Sequence, residues 1–182
     1  LRYGTPVPTM QAAVEARYLS SMKAQRLHAS NHLEGPAAGS PVEGMIDAIR
    51  DALYCSKICS YAQGLDLLAT ADADKKWGLD LGEVARIWKG GCIIRARFLK
   101  SIQAAYGKSK GLPNLLLDAD LSTFMQKHQG AWRKVVALAA ERGIPTLAMG
   151  ASLSYFDSYR RASLPQNLTQ AQRDLFGAHT FE

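Results

Sequence analysis

Apolar positions recur at three- and four-residue steps almost from end to end of the chain. No run of four or more residues alternates apolar and polar with the β-branched and aromatic bias of a strand. The pattern predicts an all-α domain of about seven helices. The first opens after Pro8 and Thr9 and runs to about Asn31, with Val14, Tyr18, Leu19 and Met22 forming an apolar face. Gly35 to Pro41 breaks the chain as an exposed loop. Ser40 then reads as the N-cap of a long helix, with Pro41 at its first position and Glu43 completing a capping box. That helix runs to about Lys76. Its Ile46, Ile49, Ala52, Leu53, Ile58, Cys59, Ala62, Leu65 and Leu68 occupy more than one stripe, which predicts burial on several sides and a place at the domain centre. Gly78 is the expected left-handed end. Asp80 with Glu83 starts a short helix that stops at Gly90 and Gly91. A further helix from Cys92 to about Tyr106 turns Ile93, Ile94, Phe98, Leu99 and Ile102 inward. Helices over roughly 121–142, 145–161 and 169–176 follow, separated by Gly143 and by Leu164 with Pro165.

A faint internal echo accompanies this pattern. Gly4-x-Pro6 and Gly143-x-Pro145 both open a helix, and Ala12 and Ala151 stand at the same offset from them. A duplicated unit and a common helix-opening sequence explain it equally well.

Composition narrows the functional classes. At 182 residues and 47% hydrophobic, the chain can bury one full core, so one domain spanning 1–182 is expected. A net charge of +6 favours anionic partners in general, from phosphorylated metabolites to nucleic acid, and the basic residues form no run that marks a tail. Three cysteines, with Cys55 and Cys59 four apart in a helical pattern, fit reduced buried thiols rather than a disulfide framework or a metal site. No apolar stretch reaches eighteen residues and no signal-peptide pattern is present, so no membrane association and a cytoplasmic location are expected.

Three ordered blocks carry a resemblance. They are Ser60-Tyr-Ala-Gln-Gly-Leu-Asp-Leu-Leu68, Leu81-Gly-Glu-Val-Ala-Arg-Ile-Trp-Lys-Gly-Gly-Cys-Ile-Ile-Arg95, and Leu164-Pro-Gln-Asn-Leu-Thr-Gln-Ala-Gln-Arg-Asp-Leu-Phe-Gly-Ala-His-Thr180. Together with Leu1-x-Tyr-Gly and Ala16-Arg-Tyr-Leu-Ser-Ser21, they make the chain similar, over its whole length, to the C-terminal domain of the decarboxylating 6-phosphogluconate dehydrogenases. The resemblance implies the helical, substrate-site and dimerisation domain of an NADP-dependent homodimer that oxidises and decarboxylates 6-phosphogluconate to ribulose 5-phosphate. It also implies that the NADP-binding domain, and the Lys and Glu that act as general base and acid, belong to a preceding part of the protein. The isolated chain is therefore expected to be inactive and to hold no catalytic residue.

The same resemblance nominates three substrate-binding residues. Arg17, in the Ala-Arg-Tyr-Leu-Ser-Ser segment, matches an arginine that contacts the substrate phosphate, and a guanidinium suits that task because it stays charged and offers parallel donors. Arg173 and His179 match a pair delivered into the partner subunit's site, with Gly177 between them expected to permit the turn that aims both at one ligand. Without the resemblance, all three read as solvated surface charges. Other features read as structure. Gly90-Gly91-Cys92 is a helix break, since no strand precedes it as a phosphate loop requires. Trp77, Trp88, Trp132, Tyr155, Phe156 and Tyr159 suit core packing. His28 and His32 stand four apart but lack a third ligand, so no metal site is expected. Two other classes remain as alternatives, a purely structural dimerisation module and a basic helical domain that binds nucleic acid. A hydroxyacid dehydrogenase of similar plan is the rival within the enzyme class.

Overall fold

The computed structural model describes residues 2–37, 39–178 and 180, and every regular element among them is helical. In chain order these are α1 (Pro8–Ser21), α2 (Lys23–Ala29), α3 (Met45–Lys75), α4 (Leu81–Ile87), α5 (Leu99–Lys108), a 3₁₀ turn at Leu115–Leu117, α6 (Ala119–Glu141), α7 (Leu147–Tyr159) and α8 (Gln166–Gly177).

The axis of the fold is α3. Its inward stripe of Ala52, Cys55, Cys59 and Ala62, at steps of three and four, is small as well as buried, so α6 approaches it closely. From α6, Leu121, Met125, Trp132 and Val135 fill the space between them, with Trp132 fully buried against Phe156 of α7. Leu99, Ile102 and Tyr106 of α5 add to the same core, while Phe98 at its N-cap meets Tyr54 and Tyr61 edge-on. Asn114, also buried, accepts from the Leu116 N–H at 3.0 Å and donates to the Tyr155 hydroxyl at 2.9 Å, which fastens the 3₁₀ turn to α7. One helix, α1, lies along α7 and crosses α3.

Several boundaries fall elsewhere than the pattern predicts, each for a local reason. The first helix breaks at Met22, and the Arg26 guanidinium turns back to donate to the carbonyls of Leu19 and Ser20 at 3.0 and 3.1 Å. Eight α-helices result among the described residues rather than seven. Ser40 does not cap α3. Its carbonyl accepts from Arg142 Nη1 at 2.6 Å, which ties this loop to the end of α6, and the helix starts only after a left-handed Gly44. The left-handed cap at the other end is Lys76, although Gly78 is left-handed as well. Residues 92–98 form turns instead of the start of α5, leaving Ile93 fully exposed and Ile94 41% exposed.

The apolar face of α1 is also not core. Val14, Tyr18, Leu19 and Met22 are 45–67% exposed, because the helix packs through Thr9, Ala12 and Ala16 instead. The long helix α3 is buried on several sides, against α6, α7, α1 and the 3₁₀ turn, as its pattern predicts, but Ile46, Ile49 and Leu53 form a bare stripe on it. Trp132, Tyr155 and Phe156 are core as expected, Trp88 is half-buried against it, and Trp77 and Tyr159 are exposed. The two Gly-x-Pro openings do share a conformation: Gly4 and Gly143 have φ of 66° and 63°, and the caps Val7 and Thr146 match within 1° in ψ.

Candidate functional site

The candidate site begins with how α1 is held, because it carries Arg17. Pro8 suits the first turn, but the N-cap is Val7, whose side chain can accept nothing. The missing acceptor comes from α3. Gln63 Oε1 accepts from the Thr9 N–H at 3.0 Å, while Gln63 Nε2 donates to Thr9 Oγ1 at 2.8 Å. Thr9 Oγ1 lies 2.9 Å from Ser152 Oγ, which in turn donates to the Ala148 carbonyl at 2.7 Å. Since the single proton of Ser152 goes to Ala148, the Thr9 hydroxyl must be the donor to Ser152. Thr9, Gln63 and Ser152 are all buried, and the chain of bonds joins three helices with no polar group left over. Sequence pattern did not expose Gln63, because a lone glutamine in an apolar helix carries no spacing signal.

Arg17 lies on the far half of α1, exposed, with no hydrogen bond or ion pair among the described residues. The nearest carboxylate in sequence, Glu15, accepts from Gln11 Nε2 at 3.0 Å. The guanidinium donors are therefore unused among the described residues. Met10, seven residues earlier on the same face, lines a cavity of about 410 Å³ with Lys57, Ser60, Tyr61, Trp88 and Arg95. Sequence pattern does not single out Lys57 and Arg95, which add positive charge to the lining of this cavity.

Arg173 is exposed on α8, which packs along no other helix and has no buried residue. Leu168, Leu175 and Phe176 on that helix are 78–83% exposed. The structure does not join Arg173 to Arg17 within one chain. His179 lies outside the described residues. The turn after α8 also differs from the expectation for Gly177, which is the last helical residue. The left-handed residue is Ala178 at φ 49°, and Asp174 holds the turn by accepting from the Thr180 N–H at 2.6 Å.

Other chemistry is excluded by surroundings. Cys55 and Cys59 are fully buried, and burial pushes the Cys55 thiol up to about 12 and the Cys59 thiol higher still, so neither is a nucleophile. His28 and His32 are exposed, with the ring of His32 on the His28 carbonyl, as suits a helix end. Among the described residues, no three His, Cys, Asp or Glu side chains are placed to hold a metal. None of these residues forms a strand with a Gly-rich turn leading into a helix, the arrangement that grips a dinucleotide pyrophosphate, so this chain does not fit NADP by itself. Among the described residues, no helix is long and apolar enough to cross a membrane.

Comparison with known proteins agrees with this geometry. The family model described as 6-phosphogluconate dehydrogenase, C-terminal domain, matches residues 1–182. A decarboxylating 6-phosphogluconate dehydrogenase of Synechococcus elongatus is 60% identical over 186 residues, covering 100% of this chain and 39% of that protein. One from Synechocystis is 55% identical over 184 residues, covering 100% and 38%. Among solved structures, a Plasmodium falciparum 6-phosphogluconate dehydrogenase superposes with a TM-score of 0.90 at 45% identity, over 98% of this chain and 39% of its own. That enzyme was solved in its apo form, with its cofactor NADP+ and with its substrate 6-phosphogluconate. The chain thus spans about two fifths of the length of these relatives. With every residue from 1 to 182 inside that match, the chain belongs to the 6-phosphogluconate dehydrogenase family, as its all-helical C-terminal domain.

Proposed function

We propose that this chain forms the substrate-site and dimerisation part of a decarboxylating, NADP-dependent 6-phosphogluconate dehydrogenase. Support comes from relatives of that name at 55–60% identity and, above all, from Arg17, a permanently charged and unpaired guanidinium on a firmly held helix. In the proposed reaction the substrate loses hydride from C3, and the resulting 3-keto acid loses carbon dioxide to leave ribulose 5-phosphate. NADP, when bound by the full-length protein, supplies the hydride acceptor. Arg17 takes the phosphate, which does not react, so its work is binding and orientation. Arg173 and His179 complete the site of the second subunit in a homodimer. We assign no proton transfer to residues of this chain. A cytoplasmic location suits its three free cysteines, and relatives with chloroplastic names mark plastids as the alternative.

The experiment is Arg17→Ala in the full-length enzyme. Removing a hydrogen bond to a charged group should weaken 6-phosphogluconate binding by about 1.5–3 kcal/mol, read as a raised KM with a smaller change in kcat. An unchanged KM would return Arg17 to the role of a solvated surface charge.

A further inference from the structure

We infer that Gln63 is a positioning residue for substrate binding, acting on Arg17 through the first turn of α1; this rests on the phosphate role of Arg17 proposed above. Thr9 is the one buried residue of α1, and from Ala13 onward only Ala16 is even half-buried. The half of the helix that carries Arg17 thus has little packing at its own level. Its direction is set by the packing of its first half on α7 and α3 and by the polar network that grips its first turn.

Gln63 is fully buried on α3 and bonds to two different atoms of Thr9, the backbone N–H and the hydroxyl oxygen. One bond would restrain the rotation of the helix about its axis less than two. Two bonds, with the Thr9 hydroxyl continuing to Ser152 on α7, fix rotation as well as position. Arg17 stands eight residues further on, about 12 Å along the axis, so a small rotation at Thr9 swings the guanidinium by a larger arc. Nothing local substitutes for the clamp, because Val7 cannot cap and Pro8 has no N–H. Without the Gln63 amide, Thr9 keeps a buried N–H with no acceptor, and the first turn must shift to satisfy it.

The test is a double-mutant cycle in the full-length dehydrogenase, with 6-phosphogluconate as varied substrate. Gln63→Met keeps the volume and removes both polar atoms. It should raise KM about tenfold and change kcat by less than about threefold, since the misplaced group binds but does not react. In the Arg17→Ala background the same substitution should add less than about a twofold change, because the group it positions is gone. Thr9→Val, which removes the hydroxyl from the other side, should repeat the pattern, and it carries the cycle if Gln63→Met does not fold. The inference is overturned if neither variant raises KM, or if the rise is the same factor with and without Arg17, as general loosening would give. If Arg17→Ala alone leaves KM unchanged, the phosphate reading falls and this inference with it. A large effect of Arg17→Ala with none from Gln63→Met or Thr9→Val sinks the inference alone.

Discussion

Asp157 shows how one carboxylate on α7 holds two helices in register. Its Oδ2 accepts from Arg133 Nη1 of α6 at 2.7 Å, its Oδ1 accepts from Arg133 Nη2, and Arg160 Nε adds a third bond at 2.9 Å. The bond from Arg133, more than the partial burial that opposes it, draws the carboxyl down to about 2 from the usual 3.8. A lowered folded-state value means that the unfolded chain binds the proton more tightly, so this contribution is complete above the unfolded value and fades as pH falls toward 2. The full shift would correspond to about 2.4 kcal/mol, and solvent at the partly exposed pair reduces this to about 1–2 kcal/mol. Asp157→Asn should therefore lower the stability of the full-length protein by that amount at pH 7. The gap to wild type, measured by denaturant unfolding, should shrink by about half between pH 5 and pH 3. A gap that stays constant over that range would show that Asp157 contributes through shape and not charge.

At the level of elements, helices whose apolar period coincides with a buried stripe were legible, and α6 is the clearest case. The pattern puts its start near Leu121, and the structure adds the cap that sets it: Asp118 Oδ1 accepts from the N–H groups of Asp120 and Leu121 at 3.2 and 3.1 Å. Asp118→Ala should cost about 1 kcal/mol, and an unaltered unfolding midpoint would mean that core contacts alone define the start of the helix. What periodicity could not reveal was set by contacts distant in sequence. Ser40 has the chemistry of an N-cap, yet Arg142, 102 residues away, claims its carbonyl. Gln63 caps a helix 54 residues earlier, which no local window detects. The faces of α1 and α3 fail for another reason. Val14, Tyr18, Ile46, Ile49 and Leu53 have the spacing of core residues and are exposed in the chain, because periodicity locates an apolar face and does not supply a helix to pack against it. Arg17 and Arg173 became candidates only through family resemblance, since a lone helical arginine has no pattern of its own.

For the molecule as a whole, α8, which like the short α2 has no buried residue, has the most consequence. Arg173 sits on α8 beside Leu168, Leu175 and Phe176, all more than three-quarters exposed, and α8 packs along no other helix of its own chain. A helix of twelve residues with its apolar side in water gains little from folding alone, and a neighbour that covered this side would stabilise it. The proposed neighbour is the second subunit, with Arg173 entering a site that already holds Arg17 of that subunit. In a two-fold dimer each site then combines Arg17 from one chain with Arg173 from the other. Chains carrying Arg17→Ala and chains carrying Arg173→Ala should each form weakly active homodimers. Paired, they place both lesions in one site and neither in the other. Differently tagged mixed dimers, purified by both tags and assayed at a substrate concentration near the wild-type KM, should recover about half of wild-type activity per dimer by site counting. If the mixed dimers stay as weak as the two parents, Arg17 and Arg173 serve one site from the same chain. The exposed face of α8 would then have to fold back onto its own subunit.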